Sequence, residues 1–371
     1  MTKNVKLLIV AGARPNFMKV APIIQAIAGF NQQLRSSDAV MEYRLVHTGQ
    51  HYDAKMSDVF FRELGIPAPD VSLEVGSGSH AQQTANVMTR FEPVCEREKP
   101  DWILVVGDVN PSMACTLVGV KMGIKVAHVE AGLRSFDRTM PEEINRLVTD
   151  SIADLLLTPS HDGDEHLRIE GVSPGRIRLV GNIMIDSLVA NLAKARESKL
   201  ISELGLKPGG FVYVTLHRPS NVDHRESLRI IMSKFESLGT RFPVVFPMHP
   251  RTRKMLAEFG ITQHEKGNVR IIEPVGYHDS LSLAENARFV LTDSGGLQEE
   301  TTYFRTPCLT LRPNTERPVT ITLGSNKLTS VDRLDADIAN VLAREPKFGT
   351  IPPFWDGKTA GRVLQSILEK S

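Results

Sequence analysis

The stretch FVLTDSGGLQEE, residues 289–300, runs from a short apolar segment through small residues into two adjacent carboxylates. A strand that stops at small residues and turns into a helix presents free backbone N–H groups, which form an anion site together with the helix dipole. Glu299 and Glu300 lie about 1.5 turns further along, where a carboxylate can accept hydrogen bonds from the vicinal hydroxyls of a sugar. The stretch therefore predicts a strand, a phosphate-binding turn and a helix that together hold a nucleotide.

Similar apolar runs recur along the chain and alternate with longer segments of helical period. They lie at 5–11, 43–48, 102–107, 124–129, 154–158, 177–180, 211–216, 243–248, 288–292 and 307–311. Near-continuous apolar strands separated by helices indicate parallel sheets that are covered on both faces. We therefore predict an α/β fold with two Rossmann-like doubly wound domains facing across a cleft, and ligands bound beyond the carboxyl ends of the strands.

The length of the chain and a restart of this pattern indicate two domains. A chain of 371 residues exceeds one ordinary domain of roughly 150 residues. A helical segment at 184–204 and a break at 206–210 separate the halves. We predict an N-terminal domain at 1–180 that carries acid/base carboxylates, and a C-terminal domain at 181–357 that binds the nucleotide. Apolar residues at helical spacing predict a final helix within 358–371 that packs on the body.

The composition argues against several kinds of partner. The 44 Lys and Arg residues against 43 Asp and Glu residues leave a formal net charge of +1, so no global field attracts nucleic acid or an anionic membrane. The three cysteines lack paired metal-ligand spacing, which argues against a zinc site. We therefore expect no metal. The N-terminal apolar run is typical of a first strand rather than a signal peptide, so we expect a cytoplasmic protein.

Charged residues follow the strands of the first half. Arg14 and Lys19 come after the first strand, where they can meet a phosphate or serve as plain surface charges. Asp108 and Glu130 each end a later strand of the same predicted sheet. Two carboxylates in a desolvated cleft can have their pKa values pushed apart, which suits proton removal by one and donation by the other. Alternatively, each acid caps the next helix.

Further charged positions indicate a doubly charged ligand. Glu142 and Arg146 lie at i,i+4 in a predicted helix start and can simply pair. In the second half, His217 follows the strand at 211–216, and arginines recur after the strand at 307–311. Because cations recur after strand ends in both halves of a nearly neutral chain, a bridging ligand such as a diphosphate is the simplest explanation.

Seven sequence blocks follow one another in a specific order. They are GARPN at 12–16, TGQH at 48–51, GD at 107–108, HVEAGLR at 128–134, PEEINR at 141–146, DSGGLQEE at 293–300 and TERP at 315–318. Together they resemble the non-hydrolysing UDP-N-acetylglucosamine 2-epimerases over nearly the whole chain. The resemblance implies the GT-B-type architecture of that family, which agrees with the fold predicted from the strand pattern.

The resemblance also implies an activity. The substrate would be UDP-GlcNAc and the product UDP-ManNAc. The family's route removes the C2 proton and expels UDP to give a 2-acetamidoglucal; UDP then adds back while C2 is reprotonated on the other face. No cofactor is implied, which fits the missing dinucleotide signature after the first strand. The family also suggests a homodimer.

Position within the matching blocks implies roles for individual residues. Catalytic roles are implied for Asp108, Glu130, Glu142 and His217. Contact with phosphate or another part of the substrate is implied for Arg14, Lys19, Arg146, Ser294, Gly295, Gly296, Glu300 and Arg317. Among these, Glu300 would bind the ribose. Some bacterial members bind a second UDP-GlcNAc as an activator, partly through the TGQH block, which would make Gln50 and His51 allosteric residues.

Two departures from the family's motifs leave alternatives open. Ser220 stands where many members have Glu in the histidine motif, and Val319 stands where Glu often follows the TERP block. These departures suggest an epimerase for a modified sugar, such as a 2,3-diacetamido uronic acid nucleotide. A hydrolysing variant that releases ManNAc, a GT-B glycosyltransferase and a non-catalytic nucleotide-sugar sensor are further alternatives, because fold alone does not fix function.

Overall fold

The computed structural model describes residues 4–12, 14–33, 40–49, 66–261, 268–345 and 347–371, without the side chains of residues 14 and 15. It divides into two compact units, of which the first comprises Met1–Ser187 with Pro353–Ser371 and the second comprises Leu188–Pro352. Residues 181–187 and 353–371 thus group with the first unit, whereas the sequence pattern divides the chain at 180/181 and 357/358.

The first unit is built on a parallel sheet with strand order β3-β2-β1-β4-β5-β6-β7. Its strands are β1 (Val5–Ala11), β2 (Met41–His47), β3 (Val71–Ser72), β4 (Trp102–Val106), β5 (Lys125–Val129), β6 (Leu155–Thr158) and β7 (Ile177–Leu179). The helices up to β7 are α1 (Arg14–Gln32), α2 (His80–Glu98), α3 (Asn110–Lys121), α4 (Pro141–Ile152) and α5 (His161–Ile169). All five residues of β4 are buried, as expected for a central strand covered on both faces.

The second unit contains a parallel sheet with strand order β10-β9-β8-β11-β12-β13. Its strands are β8 (Val212–Thr215), β9 (Val244–Pro247), β10 (Val269–Ile272), β11 (Phe289–Thr292), β12 (Cys308–Leu311) and β13 (Asn326–Thr329). The helices from the boundary onward are α6 (Ile183–Arg196), α7 (Leu200–Glu203), α8 (Pro219–Val222), α9 (Arg225–Gly239), α10 (Pro250–Glu258), α11 (Tyr277–Asn286), α12 (Gly295–Phe304), α13 (Val319–Thr322) and α14 (Leu334–Leu342). The order reverses between β8 and β11, where an open sheet of this kind binds its ligands.

The last helix, α15 (Thr359–Glu369), returns to the first unit and packs on α1. Its apolar face is buried, including Val363 and Ile367. The backbone N–H groups of Thr359 and Ala360 at its start donate to the carboxylate of Asp186 at 3.0 and 2.7 Å, which satisfies two donors that the helix itself cannot pair.

The predicted α/β class with two parallel sheets is confirmed, and every predicted strand is present. Three strands were missed, namely β3, β10 and β13. β3 has two residues, and β10 and β13 carry polar side chains, such as Arg270 and Lys327, that interrupt an apolar run. Among the described helices, none is long and apolar enough to cross a membrane.

The helical stretch predicted at 184–204 is present, but it forms two helices, α6 and α7, with a break at 197–199. Ser198 explains the break. Its hydroxyl donates to Asp279 at 2.6 Å and accepts from the backbone N–H of Leu200 at 3.3 Å, so it ends one helix and begins the next.

Candidate active site

Glu130 is the most constrained acid at the carboxyl edge of the first sheet. It follows β5, and its φ of 70° lies in the left-handed region, where the backbone of any residue other than glycine is strained. Its carboxylate is buried, and Oε2 pairs with the ammonium group of Lys19. The other oxygen, Oε1, is buried without a hydrogen-bond partner among the described residues. A buried acceptor left open in a strained loop is a candidate for contact with a ligand.

Gly107 lies beside this ion pair and has to be a glycine. Its φ is 66°, and a Cβ placed on it would lie 2.9 Å from Nζ of Lys19 and 3.5 Å from Oε2 of Glu130. The backbone N–H of Gly107 donates to the carbonyl of Val129 at 3.0 Å, so the turn after β4 is tied to β5. The close approach brings Asp108, the next residue, to the same edge of the sheet.

Asp108 belongs to a second charged group at this edge. Arg146 of α4 pairs with Asp108 and, at 2.9 Å, with Glu143. Burial alone would raise the pKa of Glu143, but N–H and O–H donors of Ser135, the guanidinium of Arg146 and the N–H of Phe136 outweigh it and hold that pKa below its ordinary range. Glu143 therefore stays ionised and fixes the guanidinium that faces Asp108.

The structure places Asp108 outside the N-cap position and Arg146 beside Glu143. The N-cap of α3 is Val109, so Asp108 does not cap that helix and instead faces Arg146. Arg146 pairs with Glu143 at i,i+3. Glu142 lies half-buried in the first turn of α4.

In the second unit, Asp293 orients His217. The backbone N–H groups of His217 and Arg218 donate to the Asp293 carboxylate at 2.8–3.1 Å, and Asn221 donates to it at 3.0 Å. His217 Nδ1 lies 2.9 Å from Asp293 Oδ1. Burial alone would raise the pKa of Asp293, but these donors hold it below its ordinary range. The ionised Asp293 thus fixes the imidazole through Nδ1, and Nε2 is the ring nitrogen that can serve a ligand.

The turn from β11 into α12 is where the sequence predicts an anion site. Ser294 is the N-cap and makes no side-chain capping bond, so the N–H groups of the first turn are not capped by it. Two guanidinium groups lie close by, because a Cβ placed on Gly295 would be 3.4 Å from Nη1 of Arg317 and 3.9 Å from Nη1 of Arg312. Arg312 is 8% exposed, and its Nη1 is buried without a hydrogen-bond partner among the described residues.

The two carboxylates of the opening stretch have different surroundings. Glu299 pairs with Arg317 at 2.7 Å and so orients that guanidinium. Glu300 is buried, and its burial, together with the neighbouring charge of Glu299, raises its pKa to about 8. Without a ligand, Glu300 is therefore mainly protonated at neutral pH.

This pKa predicts a pH-dependent stability. An unfolded chain ionises Glu300 near its ordinary pKa of 4.5, whereas the folded chain keeps the proton up to about pH 8. The unfolded state therefore binds fewer protons in this window, and the free energy of unfolding falls as pH rises, by roughly 1 kcal/mol per pH unit. Glu300→Gln removes this contribution to the pH dependence. In urea unfolding, the stability of the variant relative to the wild type should therefore increase from pH 5 to pH 8.

Glu203→Gln, at an exposed position of α7, is the matched control for this comparison. It should leave the pH dependence of unfolding unchanged. Parallel stability curves for Glu300→Gln and the wild type would contradict the raised pKa.

The structure brings several of the predicted site residues into contact. Lys19 and Glu130 meet, as do Asp108 and Arg146, while Ser294, Gly295 and Arg317 meet at the start of α12, where Gly296 follows in the first turn. Arg14 begins α1, but its side chain is outside the described set, and Gln50 and His51 lie outside the described residues.

Asp293, Glu143 and Arg312 were missed as individual site residues. Asp293 stood in the opening stretch directly after a strand, which was a usable signal. Glu143 shares its helix start with Glu142, and nothing in the sequence told the two apart. Arg312 was noted as one of two arginines in its segment, but the sequence gives no sign that its guanidinium is buried.

The family profile of the UDP-N-acetylglucosamine 2-epimerases matches residues 33–368. The chain belongs to this family. A UDP-N-acetylglucosamine 2-epimerase of Methanococcus maripaludis is 39% identical over 98% of both chains. The enzyme of the same name from Methanocaldococcus jannaschii is 40% identical, also over 98% of both chains. The resemblance of the seven blocks is thereby confirmed.

Solved structures agree with the family assignment. The Methanocaldococcus jannaschii UDP-GlcNAc 2-epimerase, in complex with UDP-GlcNAc and UDP, matches with a TM-score of 0.85 and 39% identity over 99% of this chain and 100% of that one. A lipopolysaccharide outer core galactosyltransferase matches with a TM-score of 0.56 at 16% identity over 99% of this chain and all of the other, a likeness of fold alone. The predicted GT-B-type fold is confirmed.

Proposed function

We propose that this protein interconverts UDP-GlcNAc and UDP-ManNAc by inverting C2 of the sugar. The observation that carries the proposal is the pair of strand-end carboxylates, Glu130 and Asp108, each held by a cation at the carboxyl edge of the first sheet. Inversion at a carbon that bears hydrogen needs one group to take a proton and another to supply one. Relatives named for this reaction, such as the 39%-identical protein of Methanococcus maripaludis, support the assignment.

The reaction proceeds by elimination and re-addition. One carboxylate removes the C2 proton as the bond from C1 to the diphosphate breaks, which gives 2-acetamidoglucal and UDP. The second carboxylic acid protonates C2 from the other face while UDP adds back at C1. A proton moves and no hydride does, so the sequence of steps is redox-neutral and uses no nicotinamide.

Departure of UDP is the demanding step, because the C2 proton is weakly acidic and the leaving group accumulates charge. The N–H groups at the start of α12, with Arg317 and the buried Arg312, supply preorganised donors for that charge. We assign His217 to the same task, since Asp293 fixes its ring. When it is protonated, Glu300 donates a hydrogen bond to one ribose hydroxyl. When it is ionised, it accepts hydrogen bonds from both ribose hydroxyls.

His217→Asn tests the role of the imidazole in expelling UDP. The amide nitrogen of the variant can replace Nδ1 as donor to Asp293, but nothing replaces Nε2, so we expect turnover to fall by about 10-fold or more while UDP binding persists. Stopped-flow measurement of glucal formation, with calorimetry for UDP affinity, checks both parts. His224→Asn, at an exposed histidine of the same unit, is the control. Unchanged rates in His217→Asn would remove it from the reaction.

The direct test of the proposed function is incubation with UDP-GlcNAc in D2O, followed by NMR of the sugar protons. Formation of UDP-ManNAc with deuterium at C2 supports the proposal. Release of free ManNAc with UDP identifies the hydrolysing reaction instead. An unchanged, undeuterated substrate with a folded, UDP-binding protein contradicts epimerisation of UDP-GlcNAc.

A modified sugar is the second candidate substrate. A Pseudomonas aeruginosa UDP-2,3-diacetamido-2,3-dideoxy-D-glucuronate 2-epimerase is 40% identical over 88% of this chain and 89% of its own, as similar as the relatives named for UDP-GlcNAc. Ser220 is exposed and Val319 is buried, at two positions where the sequence departs from the common motifs. Comparing kcat/KM for the two UDP-sugars decides between them.

Three other expectations remain open to experiment. We place the reaction in the cytosol, where reduced thiols agree with three buried, unpaired cysteines. We expect a homodimer, which sedimentation velocity tests. Activation by a second UDP-GlcNAc through Gln50 and His51 predicts that the reverse reaction requires added UDP-GlcNAc, and hyperbolic kinetics without that requirement would remove the activation hypothesis.

A further inference from the structure

A buried network of charged and polar side chains lies next to the loops that carry Glu130 and Asp108 in the first unit. His128, Asp150 and Arg134 are at most 1% exposed. Asp150 Oδ1 lies 2.6 Å from His128 Nδ1, and Asp150 Oδ2 accepts from Arg134 Nη1 at 2.7 Å. Arg134 continues to the carboxylate of Glu170 through two hydrogen bonds of 2.7 Å. The proton transfers proposed above use none of these groups.

Asp150 binds the chain on both sides of Glu130. His128 stands two residues before Glu130, and Gly132 stands two residues after it and donates its N–H to Asp150 Oδ2 at 3.0 Å. Glu130 itself is held at φ 70°, a conformation that costs of order 1 kcal/mol for such a residue. One carboxylate therefore fixes both ends of the strained segment that carries the proposed acid/base group.

His128 extends the same contact to the second carboxylate loop. Its Nε2 lies 2.9 Å from the carbonyl oxygen of Gly107, next to Asp108 in the chain. Carbonyl oxygens and ionised carboxylates can only accept hydrogen bonds. Both ring nitrogens of His128 are therefore placed as donors. Burial alone would raise the pKa of Asp150, but His128, Arg134 and the N–H of Gly132 outweigh it and keep that pKa below its ordinary range. His128 thus links Asp150 to the Gly107 turn.

We propose that His128 and Asp150 are positioning residues for the reaction: the hydrogen-bonded His128–Asp150 pair fixes the Gly107 turn and the Glu130 segment, and through them the two acid/base carboxylates. The proposal rests on the proposed function. Because the pair touches no substrate, its loss should lower kcat and leave nucleotide affinity and KM almost unchanged. Misplacing a reacting group by about 1 Å can slow a reaction about 100-fold.

Two substitutions separate the two contacts of the ring. The amide nitrogen of His128→Gln can replace Nε2 as donor to Gly107, whereas that of His128→Asn can replace Nδ1 as donor to Asp150. We expect kcat to fall by about 10- to 50-fold in His128→Asn, and by less in His128→Gln. UDP affinity by calorimetry should stay within about twofold of the wild type in both. His161→Asn is the matched control, because His161 is exposed at the start of α5 in the same unit.

Ring-nitrogen NMR of the wild type gives a readout that does not depend on activity. Signals from two protonated nitrogens of His128 at pH 7 support the proposal, and a neutral ring overturns it. A kcat within about twofold of the wild type in both folded variants also overturns it, as does a kcat loss matched by an equal loss of UDP affinity. If the wild type itself does not epimerise UDP-GlcNAc, the proposed function fails, and the NMR result still decides the state of the pair.

Discussion

Replacing Glu130 by Gln should lower turnover by about 100- to 10,000-fold while UDP affinity stays within about threefold of the wild type. The amide can still accept from Lys19, so the buried contact and the loop survive, but it neither takes up nor releases a proton at C2. Loss of a general acid or base has an effect of this size. Rates of UDP-ManNAc formation by NMR, together with calorimetry for UDP, measure both quantities.

Glu165→Gln is the matched control, because it makes the same change at an exposed position of α5 in the same unit. Its turnover should equal that of the wild type. Near-normal turnover in Glu130→Gln would remove Glu130 from proton transfer. An equal loss of UDP affinity would instead identify Glu130 as a binding group.

The strand pattern predicted the architecture because buried parallel strands are almost purely apolar. β4 stood out for that reason, and β5 stood out less because it contains Lys125 and His128; their ends led to Asp108 and Glu130. β13 did not stand out, since Asn326 and Lys327 give it the composition of a loop. A strand at a sheet edge that is covered on one side tolerates such polar residues. It is therefore recognised as a strand only when its neighbouring strand is known.

Partners of the site residues were harder to predict than the residues themselves. Lys19 and Glu130 are 111 positions apart, and no local pattern states that they meet. The same holds for Asp150, which looks like an ordinary helical acid until β5 brings His128 against it. Strand ends reveal where chemistry occurs, whereas the contacts that set charge and orientation depend on how distant segments pack.

Strain at Glu130 connects the fold to the proposed reaction. A left-handed residue at the end of β5 turns its carboxylate back toward Lys19, and the surrounding hydrogen bonds hold it there. A relaxed, extended conformation would continue the strand and carry the side chain elsewhere. The left-handed backbone thus accompanies a buried Oε1 that has no hydrogen-bond partner among the described residues.

Replacing Asp108 by Asn should lower epimerisation by about 100-fold or more and also reveal which face of the sugar Asp108 serves. The amide can still accept from Arg146, so the loop should keep its position. Suppose that Asp108 is the group that protonates C2 to give UDP-ManNAc. The other carboxylate of the variant can then still remove the C2 proton of UDP-GlcNAc and return it. Deuterium from D2O then enters UDP-GlcNAc without epimerisation and does not enter UDP-ManNAc; the reverse pattern assigns Asp108 to the gluco face.

Glu130→Gln should show the complementary pattern with the two epimers, because the two carboxylates act on opposite faces. Asp332→Asn, at an exposed aspartate, serves as the control and should epimerise at the wild-type rate. Equal deuterium entry into both epimers in Asp108→Asn, or turnover close to the wild type, would contradict the assignment. Complementary exchange in the two variants would fix each carboxylate to one face, since each variant blocks proton removal from one epimer only.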